Sequence, residues 1–384
     1  MYSTFNFLHR NLLKKAKKFL AMKVLQVTLR YFPNIGGVEV VVQTVSEILI
    51  TKGASVTVYS LDLVRKLQSN QTINGVCIKR FRSLLSDPFY IPEPRFVTNF
   101  RKESANIIHI HNIHTLLPLI TTLCKHKHQK IILQPHYHGM GQTSVRNFLF
   151  NNYMRLFRAF ISTHVDCIIV NSLHEKKLFN EAFPAYRNVV FIPEGIAVNE
   201  LKRVKWNPEK PARILYIGAL RYYKNVDKLL YAFASLSVKE KEKFELVIVG
   251  RGPEYLRLIA LAKKLRISNL IEWKYKLSRS QLLSEYAKAS VFVSLSSMES
   301  FGRAIYEALI IGVPTVVLNF GTMTHLVKEG LAVGVNSANP DEIADSILRA
   351  MKEVKPKARR VPSVFLSWEE YVDRILGIYN NIAE

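Results

Sequence analysis

Two glutamates flank a glycine turn in the most informative stretch of the sequence. Glu299 lies in a polar loop, and Glu307 follows eight residues later in a segment with helical spacing. A carboxylate accepts two hydrogen bonds, which suits the paired hydroxyls of a sugar ring or a ribose. Between the two carboxylates, Gly302 allows a ligand close to the backbone, and the N–H groups of Arg303 and Ala304 at the helix start suit a phosphate. The stretch therefore predicts a site for a phosphate-linked sugar.

The elements around this turn are predicted to be a strand, a loop, a helix and a second strand. Residues 290–295 form a short apolar run typical of a buried parallel strand, and residues 303–311 have the spacing of a helix. The next strand is predicted at residues 315–318. Ligands of open parallel sheets bind beyond the carboxyl ends of the strands, which is where the loop at residues 296–302 lies.

Two cations follow another predicted strand. After the predicted strand at residues 213–217, the loop contains Arg221 and Lys224. Two positive charges at the carboxyl end of a strand would neutralise a diphosphate as it leaves. The loop is therefore a candidate for the phosphate side of the same site.

Glycine turns follow two further predicted strands, and they too allow a ligand near the backbone. Gly36 and Gly37 come after the first predicted strand, and Gly250 and Gly252 come after the strand at residues 244–249. The first turn lacks the third glycine of the dinucleotide-binding fingerprint, so the sequence does not predict such a cofactor there.

Strands and helices alternate in two successive series, which predicts an α/β fold. Each series is expected to form a doubly wound, Rossmann-like parallel sheet, and the two domains are expected to face a cleft. The polar, proline-containing residues between the series predict a linker. Residues 83–100 have no regular period and are expected to be a loop. The predicted order is an N-terminal extension, a first domain, the linker, a second domain and a C-terminal helix, at residues 1–22, 23–198, 199–211, 212–362 and 363–384.

The glutamate stretch reads Glu-Ser-Phe-Gly, then Glu-Ala-Leu and then Gly-Val-Pro. This wording closely resembles the Glu-x7-Glu signature of retaining glycosyltransferase family 4, the glycosyl transferases group 1. The resemblance covers nearly the whole chain from about Lys23 onward. It implies the GT-B fold, an acceptor-binding N-terminal domain, a donor-binding C-terminal domain and a last helix that crosses back to the N-terminal domain. It also implies transfer of a sugar from a nucleotide-diphosphate donor with retention of anomeric configuration, without a cofactor or a metal.

The resemblance also assigns roles to single residues. Glu299 would orient the sugar hydroxyls, Glu307 would hold the ribose, and Lys224 matches the lysine that meets the diphosphate. The family's arginine position is held by Ala219, so Arg221, two residues later, is the candidate for that role. The usual glycine is missing where family members hold the base, so the base stays open. The other residues expected to contact the donor are Gly36, Gly37, Gly250, Gly252, Leu277, Phe301, Gly302, Arg303 and Ala304.

Histidines cluster after two predicted strands of the first domain. His136 is the best match for the family's histidine that contacts the donor sugar close to the reacting carbon, and His138 is the second. His111 and His138 are also candidates for lining the acceptor cleft. No i,i+4 helical pair and no carboxylate partner accompanies the cluster, so no metal site is predicted.

The net charge of +24 and the pI near 9.9 point to an acidic partner: an acidic substrate, an anionic membrane or nucleic acid. Residues 5–19 place apolar and basic side chains at helical spacing, which is typical of a helix on a membrane surface, although an ordinary surface helix fits as well. The cationic positions elsewhere are dispersed, so no nucleic-acid partner is predicted. Scattered cysteines, without a transmembrane run or a signal peptide, predict a cytoplasmic protein that is peripheral at the inner face of the cell membrane.

The predicted function is therefore transfer of a hexose from a nucleotide-diphosphate sugar to a lipid-linked or cell-surface glycan acceptor. The Arg-Tyr-Tyr-Lys wording at residues 221–224 resembles family members that move mannose. Two alternatives stay open, namely a GT-B sugar-nucleotide epimerase that needs no acceptor, and a basic nucleic-acid-binding protein suggested by charge alone. The Glu-x7-Glu loop argues against the epimerase, and the phosphate-sugar motifs argue against the nucleic-acid-binding protein.

Overall fold

The computed structural model describes residues 22–34, 36–85, 89–139, 144–239, 244–353 and 365–383. The predicted helix at residues 5–19 lies outside these ranges. The chain divides into two units. Unit 1 contains the described residues up to Gly195 together with those from Trp368 onward, and unit 2 runs from Ile196 to Ser367. None of the helices in the described ranges is long and apolar enough to cross a bilayer.

Short apolar runs build a mostly parallel sheet in unit 1. Across this sheet the strand order is β3-β4-β2-β1-β6-β7-β8-β9, with β5 beside β4. Strands β3 and β5 run antiparallel to β4, and the other pairs are parallel. The strands are β1 (Lys23–Val27), β2 (Ser55–Asp62), β3 (Asn70–Ile73), β4 (Val76–Leu85), β5 (Ile91–Pro92), β6 (Ile107–His111), β7 (Lys130–Gln134), β8 (Cys167–Val170) and β9 (Val189–Phe191).

Successive residues of the central strands point to opposite faces of this sheet, because the side-chain period of a strand is two. Leu25, Ile108 and Ile110 point to one face and are buried in an apolar core with side chains from four helices. The other face, called the polar face below, carries four polar side chains that are fully buried beside apolar ones such as Val24 and Ile107. The four are Gln26, His109, His111 and Gln134. The helices of unit 1 are α1 (Gly37–Thr51), α2 (Pro94–Phe100), α3 (Leu117–Cys124), α4 (Ser144–His164) and α5 (Leu173–Ala182), followed at the end of the chain by α13 (Trp368–Ala383).

The C-terminal helix α13 covers the polar face of this sheet. The hydroxyl of Tyr379 lies 2.7 Å from Nδ1 of His109, and Nε2 of Gln134 donates to the hydroxyl of Tyr371 at 3.1 Å. Tyr371 and Tyr379 are fully buried. The expectation that the last helix packs with the N-terminal half of the chain is therefore confirmed.

Unit 2 contains a second parallel sheet, with the strand order β13-β12-β11-β14-β15-β16. Both of its faces are covered by apolar helices, as an all-parallel sheet requires. Its strands are β11 (Ala212–Ile217), β12 (Phe244–Val249), β13 (Ile271–Lys274), β14 (Val291–Ser294), β15 (Thr315–Leu318) and β16 (Val333–Val335). Two short strands, β10 (Gly195–Ile196) and β17 (Leu366–Ser367), pair separately. The helices are α6 (Val198–Arg203), α7 (Val226–Lys239), α8 (Tyr255–Lys264), α9 (Arg279–Lys288), α10 (Arg303–Ile311), α11 (Thr324–Lys328) and α12 (Pro340–Glu353).

Two predicted loops differ from the structure. The expected linker at residues 199–211 begins with most of helix α6, whose Leu201 is fully buried in unit 2. Farther along, the indole Nε1 of Trp206 donates to the carbonyl of Ala289 at 2.7 Å, so the part of the expected linker that contains Trp206 also packs on unit 2. Residues 83–100, expected to be a loop, contain β5 and α2. In both cases a few well-spaced apolar residues are enough to anchor a short element.

Candidate functional site

Two loops of unit 2 are tied together at the carboxyl ends of the adjacent strands β11 and β14. The backbone N–H of Ser297 donates to the carbonyl of Tyr223 at 2.9 Å, and its hydroxyl donates to the same oxygen at 3.2 Å. The side-chain amide of Asn225 donates to the carbonyl of Leu295 at 2.8 Å. Asn225 has a φ of 53°, a left-handed conformation that asparagine tolerates better than most residues. The loops at residues 218–225 and 295–302 are therefore held in one arrangement.

Lys224 and Glu299, each on one of these loops, form an ion pair through Nζ and Oε1. Their side chains are only 14% and 18% exposed. A charge pair that is partly shielded from water interacts more strongly than a surface pair. The predicted diphosphate cation and the predicted sugar carboxylate are therefore in contact. Arg221 immediately precedes the 3₁₀ turn that ends at Lys224, so it lies on the same loop.

The turn between the two glutamates is shaped by Gly302, the N-cap of α10. Its φ of 88° is in the left-handed region, where a glycine is favoured, and a Cβ there would press on Met323 at 3.0 Å. Arg303 and Ala304 follow as the first helical residues, and the first N–H groups of a helix have no intrahelical partner. The hydroxyl of Thr322 donates to the carbonyl of Glu299 at 2.7 Å and holds the loop from the other side. The predicted glycine turn at the start of a helix is thus present.

Phe301 was expected to contact the donor, but its side chain is only 4% exposed. It packs against Tyr306 with a ring-centroid distance of 4.5 Å, inside the apolar core of unit 2. An aromatic ring at this turn gains more from burial than from exposure to water. Any contact of Phe301 with a ligand would therefore use its backbone.

Glu307, one turn into α10, is buried and already has two partners. NH1 of Arg279 donates to its Oε1 at 2.8 Å, and the hydroxyl of Tyr286 donates to its Oε2 at 3.1 Å. The other donors of Arg279 reach Glu200 at 2.7 and 3.0 Å. Burial alone would lower the pKa of Arg279, but the two carboxylates outweigh it and raise that pKa. Glu307 is therefore held in a fixed orientation by two donors, with acceptor capacity left on each oxygen.

Gly250 and Gly252 allow the backbone of one loop to pack closely against that of another. A Cβ at Gly250 would collide with the carbonyl oxygen of Gly218, and a Cβ at Gly252 would collide with that of Leu220. The N–H of Leu220 donates to the carbonyl of Arg251 at 3.1 Å across the same contact. These glycines were expected to line the donor pocket, and the structure shows that they let the Lys224 loop lie against the end of β12.

A small cavity of about 120 Å³ lies at the ends of β12 and β13. The guanidinium of Arg251 lies over the ring of Tyr275 at 5.2 Å and over that of Tyr255 at 5.6 Å, and both rings line this cavity. This is the place where the base was expected. Leu277, also expected there, is half-buried against the core that contains Ile305, so its side chain packs on the protein.

In unit 1, the two glycines of the turn after β1 differ in their surroundings. Gly36 is the N-cap of α1, and a Cβ there would collide with the carboxylate of Glu39. Glu39 is buried and pairs with Nε of Arg30 at 2.8 Å. Gly37, by contrast, has no atom within 4 Å of the position that its Cβ would take. A side chain at Gly36 would therefore force the carboxylate of Glu39 to move, whereas Gly37 faces open space.

His136 and His138 lie after β7, at the carboxyl edge of the sheet of unit 1, as predicted. His136 is buried and has a φ of 48°, a conformation that is uncommon for residues other than glycine and is found at functional sites. Its carbonyl lies 3.2 Å from Nε2 of His114. The ring of His138 is half-buried and stacks on His114 with a centroid distance of 5.4 Å.

His111 does not line a cleft, contrary to the prediction. It is fully buried, its Nε2 lies 2.7 Å from Oε1 of Gln26, and its ring stacks on His109 at 4.3 Å. Burial lowers its pKa well below the ordinary value, and the neighbouring His109 and His136 lower it further. His111 is buried because it lies on the central strand β6, which has β1 on one side and β7 on the other. Within the described residues, no three His, Cys, Asp or Glu side chains are grouped as a metal ion would require.

Three residues of the unit 2 site escaped the sequence analysis. Arg279 could have been found, because Ser278 and Gln281 form a capping box that marks the start of a helix after a strand end. Tyr286 and Thr322 have no comparable signal, since their roles arise only from burial beside Glu307 and Glu299.

Family models account for most of the chain. Residues 35–200 match the model described as Glycosyltransferase Family 4, and residues 198–362 match the model described as Glycosyl transferases group 1. The two matches together span residues 35–362, which include parts of both units and every residue that was predicted for the site.

Similar proteins cover nearly the full length of this chain. An uncharacterized glycosyltransferase of Methanocaldococcus jannaschii is 24% identical over 94% of this chain and 99% of its own length. The GDP-mannose:cellobiosyl-diphosphopolyprenol alpha-mannosyltransferase of Xanthomonas oryzae is 26% identical over 94% and 97%. Sucrose-phosphate synthase from Thermosynechococcus elongatus, a solved structure, superposes with a TM-score of 0.77 at 18% identity, over 94% of this chain and 99% of that one. This chain belongs to glycosyltransferase family 4, its fold is GT-B, and it is a hexosyltransferase.

Proposed function

We propose that this enzyme transfers a hexose, with retention of anomeric configuration, from a nucleotide-diphosphate sugar to a lipid-linked or cell-surface glycan acceptor. It would act at the cytoplasmic face of the cell membrane and need no metal. The observation that carries this proposal is the ion pair of Lys224 and Glu299, which is largely shielded from water and lies beside the start of α10. A cation, a carboxylate and helix N–H groups are the three groups that a phosphate-linked sugar needs.

In this mechanism, the donor diphosphate replaces Glu299 as the ion-pair partner of Lys224. A diphosphate carries more negative charge than one carboxylate, so Nζ of Lys224 turns to a phosphate oxygen when the donor binds. The freed oxygen of Glu299 then accepts hydrogen bonds from sugar hydroxyls. Glu307, oriented by Arg279 and Tyr286, accepts hydrogen bonds from the ribose hydroxyls.

The chemical step breaks the bond between the anomeric carbon and the phosphate oxygen. Lys224 and the N–H groups at the start of α10 stabilise the charge that develops on the phosphate, with Arg221 on the same loop as a second cation. The acceptor hydroxyl forms the new bond on the face from which the phosphate leaves, and its proton passes to the departing phosphate oxygen. The family resemblance assigns to His136 a contact with the sugar near the reacting carbon.

Mannose is the first sugar to test, because the relative from Xanthomonas oryzae is named for GDP-mannose and the 221–224 segment resembles mannose-transferring members. A thermal-shift screen would compare GDP-mannose, UDP-glucose, UDP-N-acetylglucosamine and ADP-glucose on the wild type and on Lys224→Met. Lys228→Met is the matched control, since Lys228 is more exposed and lies 4.0 Å from its partner Asp227. We expect one donor to raise the Tm of the wild type and of the control only.

Transfer itself is measured with the labelled donor found in the screen and a membrane extract as acceptor. Label that moves into the lipid-extractable or polymeric fraction, with the α configuration of the donor retained, supports the proposal. Conversion of the donor sugar without any acceptor would instead identify an epimerase. The absence of a Tm shift with every donor, on folded protein, would contradict the proposed function.

A further inference from the structure

Six large apolar side chains are exposed at one edge of the sheet of unit 1. Four of them lie in the loops that follow β1, β2 and β4, and the other two are the last residues of β4. These strands are adjacent and parallel, so the three loops leave the sheet at the same edge. These residues, called the apolar edge below, are Phe32 (40% exposed), Leu63 (38%), Val64 (63%), Leu84 (57%), Leu85 (49%) and Phe89 (40%).

The three loops adjoin one another. The register of β2 with β4 pairs Asp62 with Arg82, so the loop after β2 lies beside the end of β4. The carbonyl of Phe32 accepts a hydrogen bond from NH2 of Arg80 on β4 at 2.7 Å, which places the loop after β1 at the same end. On the far side, β5 returns along the end of β4 and brings Phe89 beside it. The segments that carry the apolar edge are therefore neighbours at this end of the sheet.

Exposed apolar residues that stand singly need no explanation, but a group of them marks an interaction site. Leu123 shows the contrast, because it is 59% exposed at the end of α3, which runs away from this edge toward the start of β7. Within the part of unit 1 that the structure describes, six of the large exposed apolar side chains share the apolar edge.

Exposed cations are interspersed with these apolar side chains. Arg65 and Lys66 follow Val64 directly, and Arg82 precedes Leu84 by two residues, and all three are exposed. The described carboxylates nearby are turned to backbone groups: Asp62 accepts from the N–H of Val64 at 3.2 Å, and Glu93 accepts from the N–H of Arg82 at 3.1 Å. No described carboxylate forms an ion pair with these three cations, so they present net positive charge to the outside.

We propose that the apolar edge is a membrane-docking surface, and that its partner is a bilayer containing anionic lipid. The apolar side chains enter the boundary between headgroups and acyl chains, while Arg65, Lys66 and Arg82 contact lipid phosphates. Neither signal alone gives stable attachment, and the two together do. The edge includes the carboxyl ends of the strands, where α/β domains bind ligands, so docking brings the site of unit 1 to the lipid surface. This last step rests on the proposed function, whereas the docking itself does not.

The test uses the full chain in co-sedimentation with vesicles of phosphatidylcholine, with and without phosphatidylglycerol. Leu63→Ser/Val64→Ser removes exposed apolar surface, and Arg65→Ser/Lys66→Ser removes charge. Leu123→Ser is the matched control. We expect binding to the mixed vesicles, a loss of about tenfold in partitioning for each double variant, and no change for the control. If both double variants partition like the wild type, another part of the chain makes the contact and the proposal is wrong.

Two further measurements separate the alternatives. If sedimentation velocity shows a dimer that Leu63→Ser/Val64→Ser converts to a monomer while vesicle binding persists, the apolar edge is an interface between two copies and the proposal fails. Donor-induced Tm shifts are recorded on the same proteins and should be equal in the wild type and the double variants. If the wild type shows no donor shift, the proposed function fails while the vesicle result still stands.

Discussion

NH1 of Arg279 lies 2.8 Å from Oε1 of Glu307, and the same guanidinium reaches Glu200 on α6. Arg279 therefore fixes the buried carboxylate that is proposed to hold the ribose. Its other partner, Glu200, lies on a helix that was expected to be linker. The orientation of Glu307 depends on a residue outside the Glu-x7-Glu stretch.

Replacing Arg279 by leucine should leave Glu307 buried with only the hydroxyl of Tyr286 as a partner. Because an unpaired buried carboxylate is costly, we expect a loss of about 2–3 kcal/mol in the free energy of unfolding. The KM for the donor should rise about tenfold with a smaller change in kcat. Arg279→Lys keeps the charge but loses the planar set of donors of the guanidinium, so its stability and its KM should lie between those of the wild type and of Arg279→Leu. Glu200→Gln is the control, since Glu200 is 42% exposed, and an effect as large as that of Arg279→Leu would contradict this role.

Lys224 and Glu299 should act as a unit in catalysis. Lys224→Met and Glu299→Gln each remove a group that is proposed to contact the donor, and we expect each to lower kcat by about 100-fold or more. The double variant should lose much less than the product of the two single losses, because the partners are in contact. Initial rates at saturating donor measure this, with Lys228→Met as the control. Strictly multiplicative losses would show that the two side chains act independently.

The glycines of the two units should respond differently to alanine. Gly252→Ala forces a Cβ against the carbonyl of Leu220, and we expect a loss of about 2 kcal/mol in stability together with weaker donor binding. Gly37→Ala meets open space in a helix and should gain about 0.5–1 kcal/mol. If a ligand approaches the backbone of Gly37, the same variant should lose transfer activity while remaining folded. Urea unfolding and rates on both variants decide the point, and a stable Gly252→Ala protein would refute the steric argument.

Buried histidines should make unit 1 sensitive to acid. Burial, reinforced by His136, lowers the pKa of His109 to about 3, against an ordinary value of 6.5. The unfolded chain therefore binds a proton below pH 6.5 that the folded chain refuses, so stability is complete above that pH and falls as the pH drops toward 3. Between pH 6.5 and pH 5 the loss is about 2 kcal/mol for this one group.

His109→Gln should remove that part of the pH dependence, whatever its cost at neutral pH. Urea unfolding at pH 7.5 and pH 5.0, followed by a probe on unit 1, compares the two slopes. The exposed His128→Gln serves as the control and should keep the dependence of the wild type. Equal pH dependence in wild type and His109→Gln would show that His109 does not carry the effect.

The sequence was sufficient for the fold because its strands and helices are strongly periodic. The turn that contains Gly302 and the loop that contains Lys224 were placed correctly, since both follow clear apolar strands. Short elements such as α2 and α6 were missed, because a few apolar residues within a polar stretch give no readable period.

Which way a side chain points was harder to predict than where its residue lies. His111 is at the end of a strand, as ligand-binding residues often are, yet its ring is in the interior and its partner is Gln26. Phe301 lies in the predicted turn, but its ring is in the core. The glycines at residues 250 and 252 are required by a neighbouring loop that is remote in sequence, and only the folded backbone reveals that contact.

The C-terminal helix has a consequence for the order in which the chain folds as it leaves the ribosome. Unit 2 is one continuous segment, so all of its residues have emerged before those of α13. Unit 1 is split, and the partners of His109 and Gln134, Tyr379 and Tyr371, are synthesised only after the whole of unit 2. Unit 1 is therefore begun before unit 2 but completed after it, and until then the polar face of its sheet lacks the helix α13.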